Sequence, residues 1–274
     1  MNQQNQAFTS ASDNPFFAEW TGPFGVPPFG AIRPEHFLPA FERAFAAHQA
    51  QVTAIAADAA APTFANTIDA LERSGDTLTR ASYVFGVLSG AHTNDAIQEV
   101  ERALAPLEAQ HWNRILMDEA LFRRIDALHR QRDQLGLSAE QLRVLDRYHL
   151  MHTRAGAALN ATAKTRLAAI NERLASLGTS FSQNLLADEQ AYALELDGED
   201  DLAGLPDFVR AAAQEAAEER GHEGKHVITL SRSSVEPFLQ FSTRRDLREK
   251  IFRAWIARGA SGGATDNKAI LAEM

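Results

Sequence analysis

Apolar residues recurring at steps of three and four, broken by short polar turns, run through most of the chain, and the longest pair of such runs lies between Ser138 and Gln190. Ser138, followed by Ala139-Glu140-Gln141, has the form of an N-cap with a polar residue three places on. Leu142, Leu145, Tyr148, His149, His152 and Leu159 then recur at helical spacing. Thr162 can cap a second helix, in which Leu167, Ile170, Leu174, Leu177, Phe181 and Leu185 make a sustained apolar seam. Two such helices joined by a few residues predict an antiparallel hairpin, each arm about 30 Å long at ~1.5 Å per residue, with the rest of the chain packed around it.

Upstream, Asn14-Pro15-Phe16-Phe17 and the Gly22-to-Gly30 stretch cannot be helical, and their four phenylalanines predict an extended arm laid along an apolar groove. Residues 1–13 read as a flexible N-terminus preceding one helical domain over 14–274. Pro34 opens a helix lined by Phe37, Phe41, Phe45 and His48 as far as about Ala57, with His36 and His48 as packing or surface residues. Thr63 caps the next, which shows Phe64, Thr67, Ile68 and Leu71 on one face and stops at Ser74-Gly75. Further helices are predicted from Asp76 to Gly90, from Asn94 to Leu116 with a kink at Pro106, and from Glu119 to Gln134.

Past the hairpin the period changes to two. Residues 191–196 and 226–230 predict short strands, parallel or antiparallel, with a helix from Pro206 to Arg220 between them. A basic, aromatic helix is predicted over Arg244 to Arg258. The pattern breaks off at Ala269–Met274 without a C-cap, as at an internal boundary of a longer chain. The fold class is mainly α, a multi-helix domain built round the long hairpin, with a small two-strand β element near 191–196 and 226–230.

Composition sharpens this. At 274 residues, 45% hydrophobic and 23% charged, the chain is ordinary globular material, and its helix-forming residues outnumber the β-branched and aromatic ones. A net charge of -9 without a Lys/Arg run argues against nucleic acid. The absence of cysteine removes disulfides and thiolate metal ligands, and no apolar run approaches ~18 residues. Residues 1–13 lack the basic start and apolar core of a signal peptide, so a cytoplasmic location is expected.

Two histidine clusters carry candidate chemistry. His222-Glu223-Gly224-Lys225-His226 has the letters of H-E-x-x-H, in which two His one helical turn apart hold Zn²⁺ and the Glu activates water. That motif works inside a helix. Here Gly221 ends one, Gly224 interrupts the motif at a cost of about 1 kcal/mol, and Val227-Ile228-Thr229-Leu230 continues as strand. Neither Glu236 nor Glu249 sits on an obvious helix to supply a third ligand, so a solvated turn is the expectation. His149 and His152, with Asp146 and Tyr148 beside them, could face a metal or substrate from one helix side, but packing in the hairpin interface is expected. The polar turn Ser89 to Asn94 is explained by Asn94 as an N-cap.

Several stretches together resemble one family. These are Asn14-Pro15-Phe16 with Pro27-Pro28-Phe29, Pro34-Glu35-His36-Phe37-Leu38-Pro39-Ala40-Phe41, and Pro62-Thr63-Phe64-Ala65-Asn66-Thr67-Ile68 through to Ser74-Gly75. Ser89 to Asn94, Arg154-Ala155-Gly156-Ala157, Phe181-Ser182-Gln183-Asn184-Leu185 and Arg253-Ala254-Trp255 follow in order. From Asn14 onward the chain is similar to the N-terminal part of bacterial peptidyl-dipeptidases, in the thimet-oligopeptidase and oligopeptidase A family of zinc metallopeptidases. The resemblance implies a neurolysin-like N-terminal lobe that walls a channel, oligopeptide substrates, and Zn²⁺ in the full-length enzyme on an H-E-x-x-H helix beyond Met274. No zinc in this chain and no catalytic residue or zinc ligand at any of its positions is implied, because the 222–226 segment falls at a helix-to-strand turn. A non-catalytic helical interaction domain is the alternative, and a self-contained small zinc protease using His222, Glu223 and His226 the third reading.

Overall fold

The computed structural model describes residues 14–274, and the expected flexible N-terminus of residues 1–13 lies outside the described residues. The chain divides into two compact units, one ending at Ser176 and one running from Leu177 to Met274. Its class is mainly α with a single small two-stranded sheet, as the periodicity predicts.

The first unit opens with single 3-10 turns at Pro15–Phe17, Pro23–Gly25 and Pro34–His36. These are followed by α1 (Phe37–Ala57), a π-turn at Phe64–Asp69 running into α2 (Ala70–Glu72), α3 (Asp76–Ala91), α4 (Asp95–Leu116), α5 (Glu119–Arg130) and α6 (Ala139–Arg154). α7 (Ala161–Ala191) begins in this unit and crosses the division. Capping sets most of these starts. Thr63 and Ser138 form capping boxes with Asn66 and Gln141, and the Asn94 and Asp118 side chains accept from the backbone N–H of Ile97 and Leu121. α4 continues through Pro106 without ending.

α1, not the expected hairpin, is the element around which this unit packs. Its first half buries Phe37, Ala40, Phe41 and Ala44 against Leu78, Val84 and Phe85 of α3 and Ile97, Val100 and Leu104 of α4. Its second half places Val52 in another cluster with Ile68, Leu71, Ile115, Leu121, Ile125 and Leu145. Phe37 and Phe41 are fully buried, each contributing about 1.5–3 kcal/mol by area removed from water.

The predicted hairpin is corrected in three respects. α6 stops at Arg154, because Gly156 (φ +94°) closes a Schellman motif in which the N–H groups of Gly156 and Ala157 donate to the carbonyls of Thr153 and His152. Leu159 therefore falls in the turn. Asn160, not Thr162, caps α7, accepting from the N–H of Ala163. Finally, α6 packs on α5, whereas the first half of α7 is tied to the end of α4: Asn171 donates to Asn113, Asn113 to the Ala168 carbonyl, Gln110 to Glu172, and Lys164 to the Met117 carbonyl. Of the seam only Leu177 is buried, and Ile170 is exposed.

The Phe-rich arm also divides. Phe16 is buried 5.3 Å from the Phe37 ring, and Trp20 lies under the Arg80 guanidinium at 3.9 Å. Phe24 and Phe29 are exposed, and turns at Pro15–Phe17 and Pro23–Gly25 replace the extended backbone expected there.

The second unit contains the rest of α7, β1 (Leu194–Leu196), α8 (Gly198–Asp201), α9 (Asp207–Glu218), β2 (His226–Ile228), α10 (Arg232–Phe241), α11 (Arg245–Ile256) and α12 (Lys268–Glu273). The strands are antiparallel, pairing Leu194 with Ile228, Glu195 with Val227 and Leu196 with His226. Leu194, Leu196 and Ile228 join Val209 and Ala213 of α9, Val235 and Phe238 of α10, and Ile251 of α11 in one core. α7 ends in a polar clamp: Asp188 accepts from the Gly259 N–H and the Thr265 hydroxyl, and Glu189 pairs with Arg258.

Candidate functional site

The 222–226 segment is a turn. α9 ends in a Schellman motif, with the N–H of Gly221 (φ +76°) donating to the Glu218 carbonyl and that of His222 to the Ala217 carbonyl. The helix is thus closed immediately before the first motif histidine. Lys225 N–H then donates to the His222 carbonyl, and His226 is already the first residue of β2. His222 Nδ1 lies 3.2 Å from Glu195 Oε1, and Lys225 Nζ 2.6 Å from Glu195 Oε2; Lys225 holds the Glu195 carboxyl below the usual carboxylate range. An H-E-x-x-H zinc site needs both His on successive turns of one helix and a third ligand nearby, so these residues do not fit that arrangement. Among the described residues, no group of three or more His, Asp or Glu is arranged to hold a metal ion.

His149 and His152 share α6 but turn to different partners. The His149 ring stacks flat on His129 of α5 at 3.8 Å, with Nε2 3.2 Å from Asp126 Oδ1. His129 lies 3.2 Å from Asp146, and burial followed by the neighbouring His149 lowers its pKa. His152 is buried, with Nδ1 3.0 Å from the Leu116 carbonyl. Both pack, but against α5 and the end of α4, not across an α6–α7 hairpin.

A cavity lies in the first unit, where α1, α2, α4 and α6 meet. It encloses about 270 Å³ and is lined by His48, Leu71, Glu72, Ser74, Trp112, Ile115, Leu116, Tyr148, Met151 and His152. A directional hydrogen-bond chain runs along one wall. Ser74 Oγ donates to the Leu71 carbonyl at 2.7 Å, so it accepts from His48 Nε2 at 3.2 Å, and His48 Nδ1 in turn accepts from His111 Nε2 at 2.9 Å. Both imidazoles are neutral in this arrangement. Burial lowers the His48 pKa, and burial, then His48, then Arg114 bring His111 down to about 4. On the opposite wall Tyr148 donates to Glu72 Oε1 at 2.6 Å, and burial followed by that bond raises the phenol pKa. Sequence reasoning places His48, Tyr148 and His152 on packed helix faces but misses that they converge. The available signal was that each continues an apolar stripe where a hydrophobe would ordinarily stand.

No protein-family model matches the chain. It is 36% identical over 261 residues to the dipeptidyl carboxypeptidase of Escherichia coli, an alignment covering 95% of this chain and 38% of that protein. It is 28% identical over 255 residues to the oligopeptidase A of Salmonella typhimurium, covering 92% and 37%. To the probable cytosolic oligopeptidase A of Arabidopsis thaliana it is 25% identical over 260 residues, covering 92% and 36%. The chain thus spans 36–38% of the length of these curated relatives. A match that runs nearly end to end along this chain leaves one assignment: it belongs to the dipeptidyl carboxypeptidase and oligopeptidase A family, and corresponds to the N-terminal part.

Proposed function

We propose that this chain is the N-terminal, channel-forming helical domain, residues 14–274, of a zinc metallopeptidase that removes C-terminal dipeptides from short unfolded oligopeptides in the cytoplasm. We further propose that the chain alone neither holds stoichiometric zinc nor cleaves peptides. The observation that carries this reading is the 36% identity to a dipeptidyl carboxypeptidase along 95% of the chain. The turn at 222–226 supports the second part, since its histidines cannot share a helix face. The cytoplasmic setting draws on the relative described as cytosolic. Oligopeptides would be bound with the help of this domain and cut at a zinc site contributed by other residues of the enzyme. A second reading, a non-catalytic helical interaction domain, is favoured by one observation, the exposure of Phe24, Val26 and Phe29 on one short segment.

Sequencing the gene downstream and assaying the products separates the readings. An open frame running on into a helical H-E-x-x-H, and a full-length protein that shortens a quenched peptide by two residues from its C-terminus, support the peptidase. A stop codon after Met274 overturns it. One equivalent of zinc on the 274-residue chain, lost on His222→Ala or His226→Ala, overturns the second part.

A further inference from the structure

We propose that the cavity of the first unit is a binding site for an apolar ammonium, that is, a protonated primary amine carried on an aryl or branched-alkyl group. Its floor is apolar, formed by Leu71, Ile115, Leu116 and Met151, and its polar lining is biased toward acceptors. Most donors along the walls are spoken for: Ser74 Oγ–H by the Leu71 carbonyl, His48 Nε2–H by Ser74, Tyr148 O–H by Glu72, and His152 Nδ1–H by the Leu116 carbonyl, which leaves the Trp112 Nε1–H at the rim. Two acceptors remain. Glu72 is bonded through Oε1 alone and has no cationic partner among the described residues. His152 is 1% exposed, and its Nε2 makes no hydrogen bond among the described residues. A donor entering the cavity would meet that lone pair.

These features select the ligand by chemistry. A carboxylate or phosphate would face the Glu72 charge, with the Trp112 Nε1–H alone to set against it. A plain hydrocarbon would leave the His152 lone pair unmet. An ammonium brings three donors and a positive charge to Glu72, and the half-exposed Trp112 ring at the rim adds a π-face for the cation. The volume, about 270 Å³, suits one aryl or branched-alkyl group. Two sources share this chemistry, a free small amine and the α-ammonium of a peptide whose first residue is apolar.

Calorimetric titration of the full chain with phenethylamine, with Phe-Gly-Gly and with N-acetyl-Phe-Gly-Gly tests the assignment, with Trp112 fluorescence as a second readout. Saturable binding of phenethylamine alone identifies a small-amine site, and binding of Phe-Gly-Gly alone a peptide-terminus site. Either supports the inference if Glu72→Gln weakens binding at least tenfold. Met151→Trp should fill the cavity and abolish binding while the circular dichroism spectrum is unchanged, and Glu72, being exposed, tolerates the amide without unfolding. Equal binding of the acetylated peptide, no binding of any ligand, or a Glu72→Gln variant that binds as the parent does would overturn it.

Discussion

The His48–His111 pair makes the first unit acid-sensitive in a way that can be calculated. Both imidazoles are buried, 2.9 Å apart and neutral, and the His111 pKa stands at about 4 against 6.5 for the free side chain. The unfolded chain therefore takes up a proton near pH 6.5 that the folded chain refuses until about pH 4. Because the unfolded state binds more protons in that window, stability is fully present above pH 6.5 and is lost as the pH falls toward 4. Between pH 7 and pH 5 the loss from His111 alone is about 2 kcal/mol, taking 1.36 kcal/mol per pKa unit. Trp112 contacts both rings, at centroid distances of 5.7 and 5.5 Å, so its fluorescence reports on the pair directly. With Trp20 and Trp255 replaced by Phe, urea titrations at pH 7, 6 and 5 should show the midpoint falling. His111→Phe, which keeps the aromatic contact to Phe45, should flatten much of the slope. A midpoint independent of pH, or imidazole NMR signals that titrate near 6.5 for His111, would refute the reasoning.

Three further outcomes follow from packing. Arg124 is buried and donates to the carbonyls of Asp58 and Ala60 and to Asn66, so Arg124→Met should cost about 3 kcal/mol in urea denaturation, and a cost comparable to a surface change would contradict that role. Gly156→Ala places a Cβ 2.8 Å from Leu167 Cδ2 and 2.9 Å from Leu159 Cδ1 at φ +94°, for a loss of about 2 kcal/mol, part of which Leu159→Ala should restore in the double variant. Leu174→Ala, on the half-buried face of α7, should cost about 1 kcal/mol, against about 2–5 kcal/mol for the fully buried Ile125→Ala; equal costs would show α7 to be core.

What the sequence makes legible is local. Caps at Thr63, Asn94 and Ser138, glycine stops at Gly75 and Gly221, and the strands at 194–196 and 226–228 all follow from short-range chemistry and appear where it puts them. Long-range partnership is not local, and there the reading departs from the structure. α6 chooses α5 because its stripe of Leu145, Tyr148 and His152 meets Ile125, Leu128 and Phe122, while α7 carries only a weakly one-sided pattern and needs side-chain hydrogen bonds to α4. α10 escapes notice altogether: Ser231-Arg232-Ser233-Ser234 looks like a turn and Pro237 like a breaker, yet the helix continues through Pro237, its sixth residue, and Val235 and Phe238 bury fully. That 222–226 forms a turn was visible in Gly221 and Gly224. The cavity was not, since its lining comes from residues as far apart as His48 and His152.

The division of the N-terminal arm turns a covalent segment into something close to a tethered ligand. Phe24 stands fully solvent-exposed at φ +59° between Pro23 and Gly25, an open target for a protease that cleaves after aromatic residues. Ten residues earlier the chain is held by the Asn14 side chain on the His36 carbonyl, by Phe16 against Phe37 and by Trp20 under Arg80. A single nick after Phe24 would leave that grip intact and remove only the tether. The released peptide would then bind its groove with a dissociation constant of its own, and the ratio between the tethered and free association would give the effective concentration that the intact loop supplies.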